Sequence, residues 1–202
     1  MKLAEQQANG AYLNDKQRSL GDSRAHREQK RHSLVARLKA GDRAAAAELV
    51  DEYYEQMYLF MRRLGHDRQS SEDLTQEVFF NAWHHIGQLR DDKALNGWLY
   101  RIANNVSNLY WRRHKHKEVI GLDPIDGPEV STGRTDEFGH YEQLEQLNYA
   151  VARLPAILRQ TIVLHYMQQL TIAEAAEVAG VRQGTFKSRL NRALKVLRRS
   201  VT

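Results

Sequence analysis

The sequence predicts an all-α protein: two small helical domains joined by an acidic flexible linker, the C-terminal one a helix-turn-helix. Three observations carry this. Apolar residues recur at spacings of three and four along most of the chain, as on an amphipathic helix. No stretch alternates apolar and polar residues as a half-buried strand would. A break at 118–140 holds two of the three prolines and four glycines, so no helix propagates through it.

Residues 1–32 form a basic N-terminal extension. Lys16, Arg18, Arg24, Arg27, Lys30 and Arg31 face few acids, and no helical stripe is sustained. It reads as a solvated, partly disordered arm, or as an accessory arm for nucleic acid or a partner. The first domain covers 33–117. Leu34 and Leu38 share a face, and their helix stops at Gly41. Leu49, Tyr53, Met57, Phe60 and Leu64 follow at spacings of four, four, three and four, ending at Gly65. A third helix is expected from Ser70 as N-cap, with Glu72 and Asp73 in its first turn, through Leu74, Val78 and Trp83 to about Ile86. A fourth runs from about Leu95 to Lys117, with Leu99, Ile102, Val106 and Leu109 on one stripe.

The linker, 118–140, carries Glu118, Asp123, Asp126, Glu129, Asp136 and Glu137 against one Arg134. It has little to bury and reads as a tether. The second domain, 141–202, opens with Leu144, Leu147, Val151 and Leu154 on one stripe. Pro155 suits the first turn of the next helix. Thr171 and Glu174 fit a capping box ahead of "IAEAAEVA", and Gly180 ends that short helix. The stretch "QGTFKSRLNRALKVLRR" makes the last helix.

That last helix carries the chemistry. On a helical wheel Leu190, Ala193 and Leu197 fall within about 40° of Phe186. Gly184, Ser188, Asn191, Arg192, Lys195 and Arg199 cluster opposite, flanked by Thr185 and Lys187. No acid follows Glu177. A solvated helix interleaves Glu with Lys, because like charges at i, i+4 destabilise it. A helix without that help is one that an external anion stabilises. A short capped helix, a glycine turn and a basic helix make the helix-turn-helix plan, whose second helix enters the major groove. Its cations meet phosphates, while Arg and Asn reach base edges.

A second basic helix, "GWLYRIANNVSNLYWRRHKHK", ends in Arg112, Arg113, Lys115 and Lys117 without an acid. Its core stripe leaves Trp98, Arg101, Asn105 and Asn108 on another face. Rings on which bases stack, beside amides that pair with an unpaired base, suit single-stranded nucleic acid. The competing reading makes the tryptophans core anchors and the amides solvated.

Composition narrows the other classes. The chain has 202 residues, a net charge of +5 and no cysteine. That excludes disulfides, thiolate zinc sites and a cysteine nucleophile. The N-terminus has no apolar signal region, and no apolar run approaches the ~20 residues of a membrane span. A cytoplasmic protein without membrane insertion is expected. His84-His85 point about 100° apart on a helix, and His114 and His116 sit among cations, so no metal site is expected. No Walker or Rossmann glycine pattern occurs. The expectation is a chain with no catalytic residues, cofactor or small-molecule substrate.

Three motifs in order, "SSEDLTQEVFFNAW", "LNGWLYRIANNVSNLYWRR" and "LTIAEAAEVAGVRQGTFKSRLNRALKVLR", resemble a bacterial sigma factor of the extracytoplasmic-function (ECF) group of the sigma-70 family. The resemblance covers about Leu34 to Arg199. It implies initiation of transcription of a specific regulon, with core RNA polymerase (its β′ clamp and β flap), promoter DNA and an anti-sigma factor as partners. It implies that 33–117 is region 2, which binds the clamp and opens the −10 element, and that 141–202 is region 4, which reads the −35 element. The resemblance matches the clamp-binding motif to Asp73, Gln76, Glu77 and Phe79; on a helix Asp73, Gln76, Glu77 and Phe80 fall on adjoining positions, so these four are expected to face polymerase. It matches Asn105 to the asparagine lining the pocket for a flipped −10 base, Trp98 and Arg101 to positions flanking that site and "QLRDDKALNG" to the segment that closes it; Asn108, on the same face, and Arg112, Arg113 and Lys115, placed to hold backbone phosphates, complete the expected −10 set. Arg182, Gln183, Thr185, Lys187, Ser188, Asn191, Arg192 and Lys195 fall to −35 DNA. Phe186 stands where the family usually has valine or isoleucine. The basic extension departs from the family pattern. The alternative, a stand-alone helix-turn-helix regulator that does not bind polymerase, explains the C-terminal domain but not "DLTQEVF" or the second basic helix.

Overall fold

A computed structural model describes residues 29–114 and 147–200. The linker at 118–140 and residues 1–28 lie outside the described residues. Every element in the described part is helical. Helix α1 covers 29–39, α2 Arg43–Arg63, α3 Arg68–His85 and α4 Leu95–Arg113. Helix α5 covers 147–152, α6 Ala156–Ile162, α7 Ile172–Val178 and α8 Gln183–Ser200. A π-helical turn, Val163–Met167, extends α6, and short 3₁₀ turns at Ile86–Gln88 and Asp92–Ala94 join α3 to α4.

Local chemistry sets the ends. Helix α3 starts earlier than Ser70. Asp67 is its N-cap and accepts from the Ser70 amide and from Ser70 Oγ, each at 2.8 Å. An aspartate cap satisfies two donors at once, so it outcompetes the serine. Gly65, at φ +95°, ends α2: its amide donates to Arg62 and the His66 amide to Met61, the pairing of a Schellman motif. Gly180, at φ +66°, does the same for α7 through bonds to Glu177 and Ala176. The Thr171–Glu174 capping box is present in full and holds the Glu174 carboxyl below the usual carboxylate range, through hydrogen bonds from the Thr171 hydroxyl and amide. Helix α1 also takes in residues 29–32, which the sequence reading left in the extension. Lys30 pairs with Glu52 and Glu48 of α2, a tertiary tie that no local periodicity carries.

The core is not split as two independent domains would split it. Leu34, Leu49, Met57, Phe60, Val78, Leu95 and Leu99 pack in one continuous cluster with Val163, Leu164, Leu170, Ala176, Val178 and Phe186. A smaller cluster, with Val151, Leu154, Ile162, Leu190, Ala193 and Leu197, lies within the C-terminal half. At roughly 25 cal/mol per Å2 of apolar surface removed from water, a buried Leu or Phe contributes about 1.5–3 kcal/mol. The halves therefore hold each other by more than a tether.

Candidate nucleic-acid and partner interfaces

Helix α8 separates its two faces fully. Phe186, Leu190, Ala193 and Leu197 are buried on α6 and α7. Arg182, Gln183, Thr185, Lys187, Ser188, Asn191, Arg192 and Lys195 are all exposed. Among the described residues, none of their four cations makes an ion pair. A row of cations without acids offers phosphate-spaced charge at little desolvation cost. The Gly180 turn fixes how α7 and α8 cross, with Ala175 and Ala176 buried at the crossing.

Helix α4 presents Arg101, Asn105, Asn108, Arg112 and Arg113 to solvent, while Trp98 is half-buried and packs against the core. Its packing makes Trp98 a core anchor, with part of the ring left open to solvent. Lys115 lies outside the described residues. The 88–97 stretch is not all loop, because α4 begins at Leu95; the turn ahead of it is braced from outside. His32 Nδ1 lies 2.5 Å from Asp92 Oδ2, Lys39 Nζ 3.5 Å from Asp92 Oδ1, and Arg31 donates to the Lys93 carbonyl at 3.4 Å. Arg31, His32, Arg90, Asp91, Asp92 and Lys93 line a cavity of about 360 Å3 there.

On α3, Asp73, Gln76, Glu77 and Phe80 share an exposed face. Phe80 packs against His84, ring centroids 4.1 Å apart. Phe79 turns inward, and Tyr54 of α2 stacks on it at 6.4 Å and on Tyr58 at 6.3 Å. The tyrosines extend the apolar part of this face. Reading α3 alone missed them, because α2 and α3 meet only in the fold.

A further set of polar residues lies between the halves. Tyr100 donates to Gln168 Oε1 at 2.5 Å, and burial pushes its hydroxyl up to about 12. Buried Asn104 donates to the Val178 carbonyl at 3.0 Å and accepts from Gln160. Arg101 pairs with Glu177 at 3.2 Å. His66 is buried against Trp111, its Nε2 2.7 Å from Ser107 Oγ. Burial pulls it down to about 4, against the Asp67 charge and with the help of Arg159. Sequence periodicity marks Asn104 and Arg159 only as polar helix positions; nothing in the spacing announces their burial.

Both halves match known families. The sigma-70 region 2 profile matches residues 49–117, and the sigma-70 region 4 profile matches 144–197. Two ECF RNA polymerase sigma factors of Bacillus subtilis are similar. SigM is 30% identical over 151 residues, 75% of this chain and 91% of SigM. SigW is 28% identical over 176 residues, 83% of this chain and 94% of SigW. In fold, the chain resembles CnrH in complex with the cytosolic domain of CnrY (TM-score 0.59, 22% identity, 81% of this chain and 92% of that one). It also resembles RpoE bound to the anti-sigma factor NepR from Bartonella quintana (TM-score 0.58, 21% identity, 77% and 95%). The chain belongs to the ECF RNA polymerase sigma factors. It binds core RNA polymerase, recognises −10 and −35 promoter elements and initiates transcription.

Proposed function

We propose the following division of labour. Region 2, over 33–117, docks on the β′ clamp through Asp73, Gln76, Glu77 and Phe80 and captures the −10 element through α4. Region 4, over 141–202, contacts the β flap and reads the −35 element through α8. Residues 118–140 connect them. The observation that carries the reading is the pair of acid-free cationic faces, on α4 and α8, set on opposite sides of the linker. Each chemistry suits its target. Helix α8 offers Arg, Lys and Asn to a duplex groove, where phosphates fix position and amides or guanidinium groups choose bases. Helix α4 offers Asn105, whose amide both donates and accepts, to an edge that only a melted base exposes. Arg112, Arg113 and Lys115 would hold the backbone beside it.

The mechanism is binding and strand separation driven by contacts, so the chain makes and breaks no covalent bond of its own. Its place is the cytoplasm, where polymerase and promoter are. Among the described residues no helix is long and apolar enough to cross a membrane. The similar structure of RpoE in complex with the anti-sigma factor NepR supports an anti-sigma factor as a further partner of this chain. Run-off transcription with core polymerase and genomic DNA tests the whole reading. Discrete transcripts that require the chain are expected. Duplex binding by the chain without any core-dependent transcript would return it to the stand-alone regulator.

A further inference from the structure

We propose that Arg31, His32 and Lys39 of α1 are positioning residues for base selection at the −10 element. Through Asp92 and the Lys93 carbonyl they fix the turn ahead of α4, and the place of that turn sets which unpaired base the site accepts. The inference rests on the reading of α4 and the segment before it as the −10 site.

The turn has little else to fix it. Leu89 and Leu95 on either side are 4% and 0% exposed, but Arg90, Asp91, Lys93 and Ala94 between them are exposed. The cavity of about 360 Å3, not packed side chains, separates the turn from α1. Helix α4 starts without help from a side chain, because its N-cap is Ala94, which makes no capping bond. Asp91 caps only the 3₁₀ turn, accepting from the Lys93 amide at 2.9 Å. A helix start without a capping side chain leaves its first amides unsatisfied and is weakly fixed. Polar ties from outside therefore decide where this start sits.

Those ties converge on one carboxylate. His32 and Lys39 share a face of α1, two turns apart. Asp92 takes one on each oxygen, with Oδ2 2.5 Å from His32 Nδ1 and Oδ1 3.5 Å from Lys39 Nζ. A carboxylate only accepts, so the imidazole nitrogen donates here. Arg31 adds a longer bond, 3.4 Å, to the Lys93 carbonyl. Exposed ion pairs contribute little one at a time. Asp92 differs in that its side chain is only 20% exposed and is held from two separate turns of one helix, which fixes direction as well as distance. The helix that holds it is itself anchored. Leu34, Val35 and Leu38 are buried, and Arg37 donates to Asp42 and Glu48 at 2.8 Å each.

Position converts into choice of base. A site discriminates by what it refuses as well as by what it holds. A wall kept within about 0.5 Å of its place refuses the wrong base, and a wall that drifts admits it. The α1 residues act through Asp92 and Lys93 without touching the base themselves.

The test uses the full chain with core polymerase on a promoter found by run-off transcription, pre-melted over its −10 element and varied one base at a time. His32→Ala with Lys39→Ala should lower the preference for the best base over the others about five-fold, the lower end of what one well-placed base contact discriminates. Both residues are exposed, so core binding and thermal unfolding should stay close to wild type. His32→Gln with Lys39→Arg keeps a donor for each oxygen and should restore the preference. An unchanged preference in the alanine pair, an equal loss on every template, or a Gln and Arg pair no better than alanine overturns the proposal. Equal loss is what a merely structural role gives. Asn105→Ala reads the underlying assignment separately. Altered preference there beside an unchanged alanine pair sinks only the role of α1. Unchanged preference there beside a relaxed alanine pair removes Asn105 from the site and keeps the turn.

Discussion

Phe79 and Phe80 are adjacent in sequence, yet Phe79 is 8% exposed and Phe80 63%. Successive helical residues differ by about 100° in direction, so one faces the core and the other solvent. Their truncations should therefore fail differently. Phe79→Ala removes a core ring and costs about 3–5 kcal/mol of stability, read by denaturant unfolding. Phe80→Ala should leave stability within about 0.5 kcal/mol and weaken capture of core polymerase.

The carboxylates on the same face give a sharper check. Charge reversal at Asp73 and Glu77 together should abolish co-purification with core enzyme while helicity by circular dichroism stays unchanged. Wild-type pull-down by the double variant would move the clamp site elsewhere.

On α8, Arg192 and Lys195 are exposed and make no ion pair among the described residues. Alanine at either should weaken −35 duplex binding by about 1–3 kcal/mol, and loss of a phosphate contact should lower the salt slope by about 1. Gel shifts across a salt series measure both.

Asn105→Ala should lose open-complex formation and keep duplex binding through α8. Permanganate footprinting of the −10 region, beside a gel shift with core enzyme present, separates the two. Full melting by the variant would make Asn105 a solvated helix residue.

Acid should find His66. Its ordinary value near 6.5 falls to about 4 in the fold, chiefly through burial, so the unfolded chain takes up the proton first. Its stabilising contribution is complete above about pH 6.5 and is lost as pH falls toward 4, roughly 3 kcal/mol in all. Asp67 opposes the shift and Arg159 adds to it. Urea unfolding at pH 7 and pH 4.5 should show the loss, and His66→Phe should remove that part of the slope.

Much of this was legible in the sequence because it is local. The apolar stripes of α2, α4 and α8, the Thr171–Glu174 box and the glycine stops are decided within a few residues, and the fold keeps them. Asp67 displaced Ser70 because two plausible caps stood three residues apart and only the geometry shows which one takes the donors. The contact between halves was not legible. Asn104 sits one residue from Asn105 and has the same chemistry; only packing makes one a buried joint and the other a solvent-facing amide. Arg159 reads as a surface cation because burying an unpaired charge is disfavoured, so the sequence gives no warning of it.

The contacts that brace the turn ahead of α4, at Asp92 and Lys93, come from His32, Lys39 and Arg31, and all three precede the residue at which the region 2 match begins, 49. The stretch matched from residue 49 therefore does not hold this turn by itself. A chimera that takes region 2 from residue 49 onward would import the loop with its Asp92 partners stripped away, and would misstate what this loop can do. Any graft meant to keep this turn as the fold holds it has to bring α1 with it.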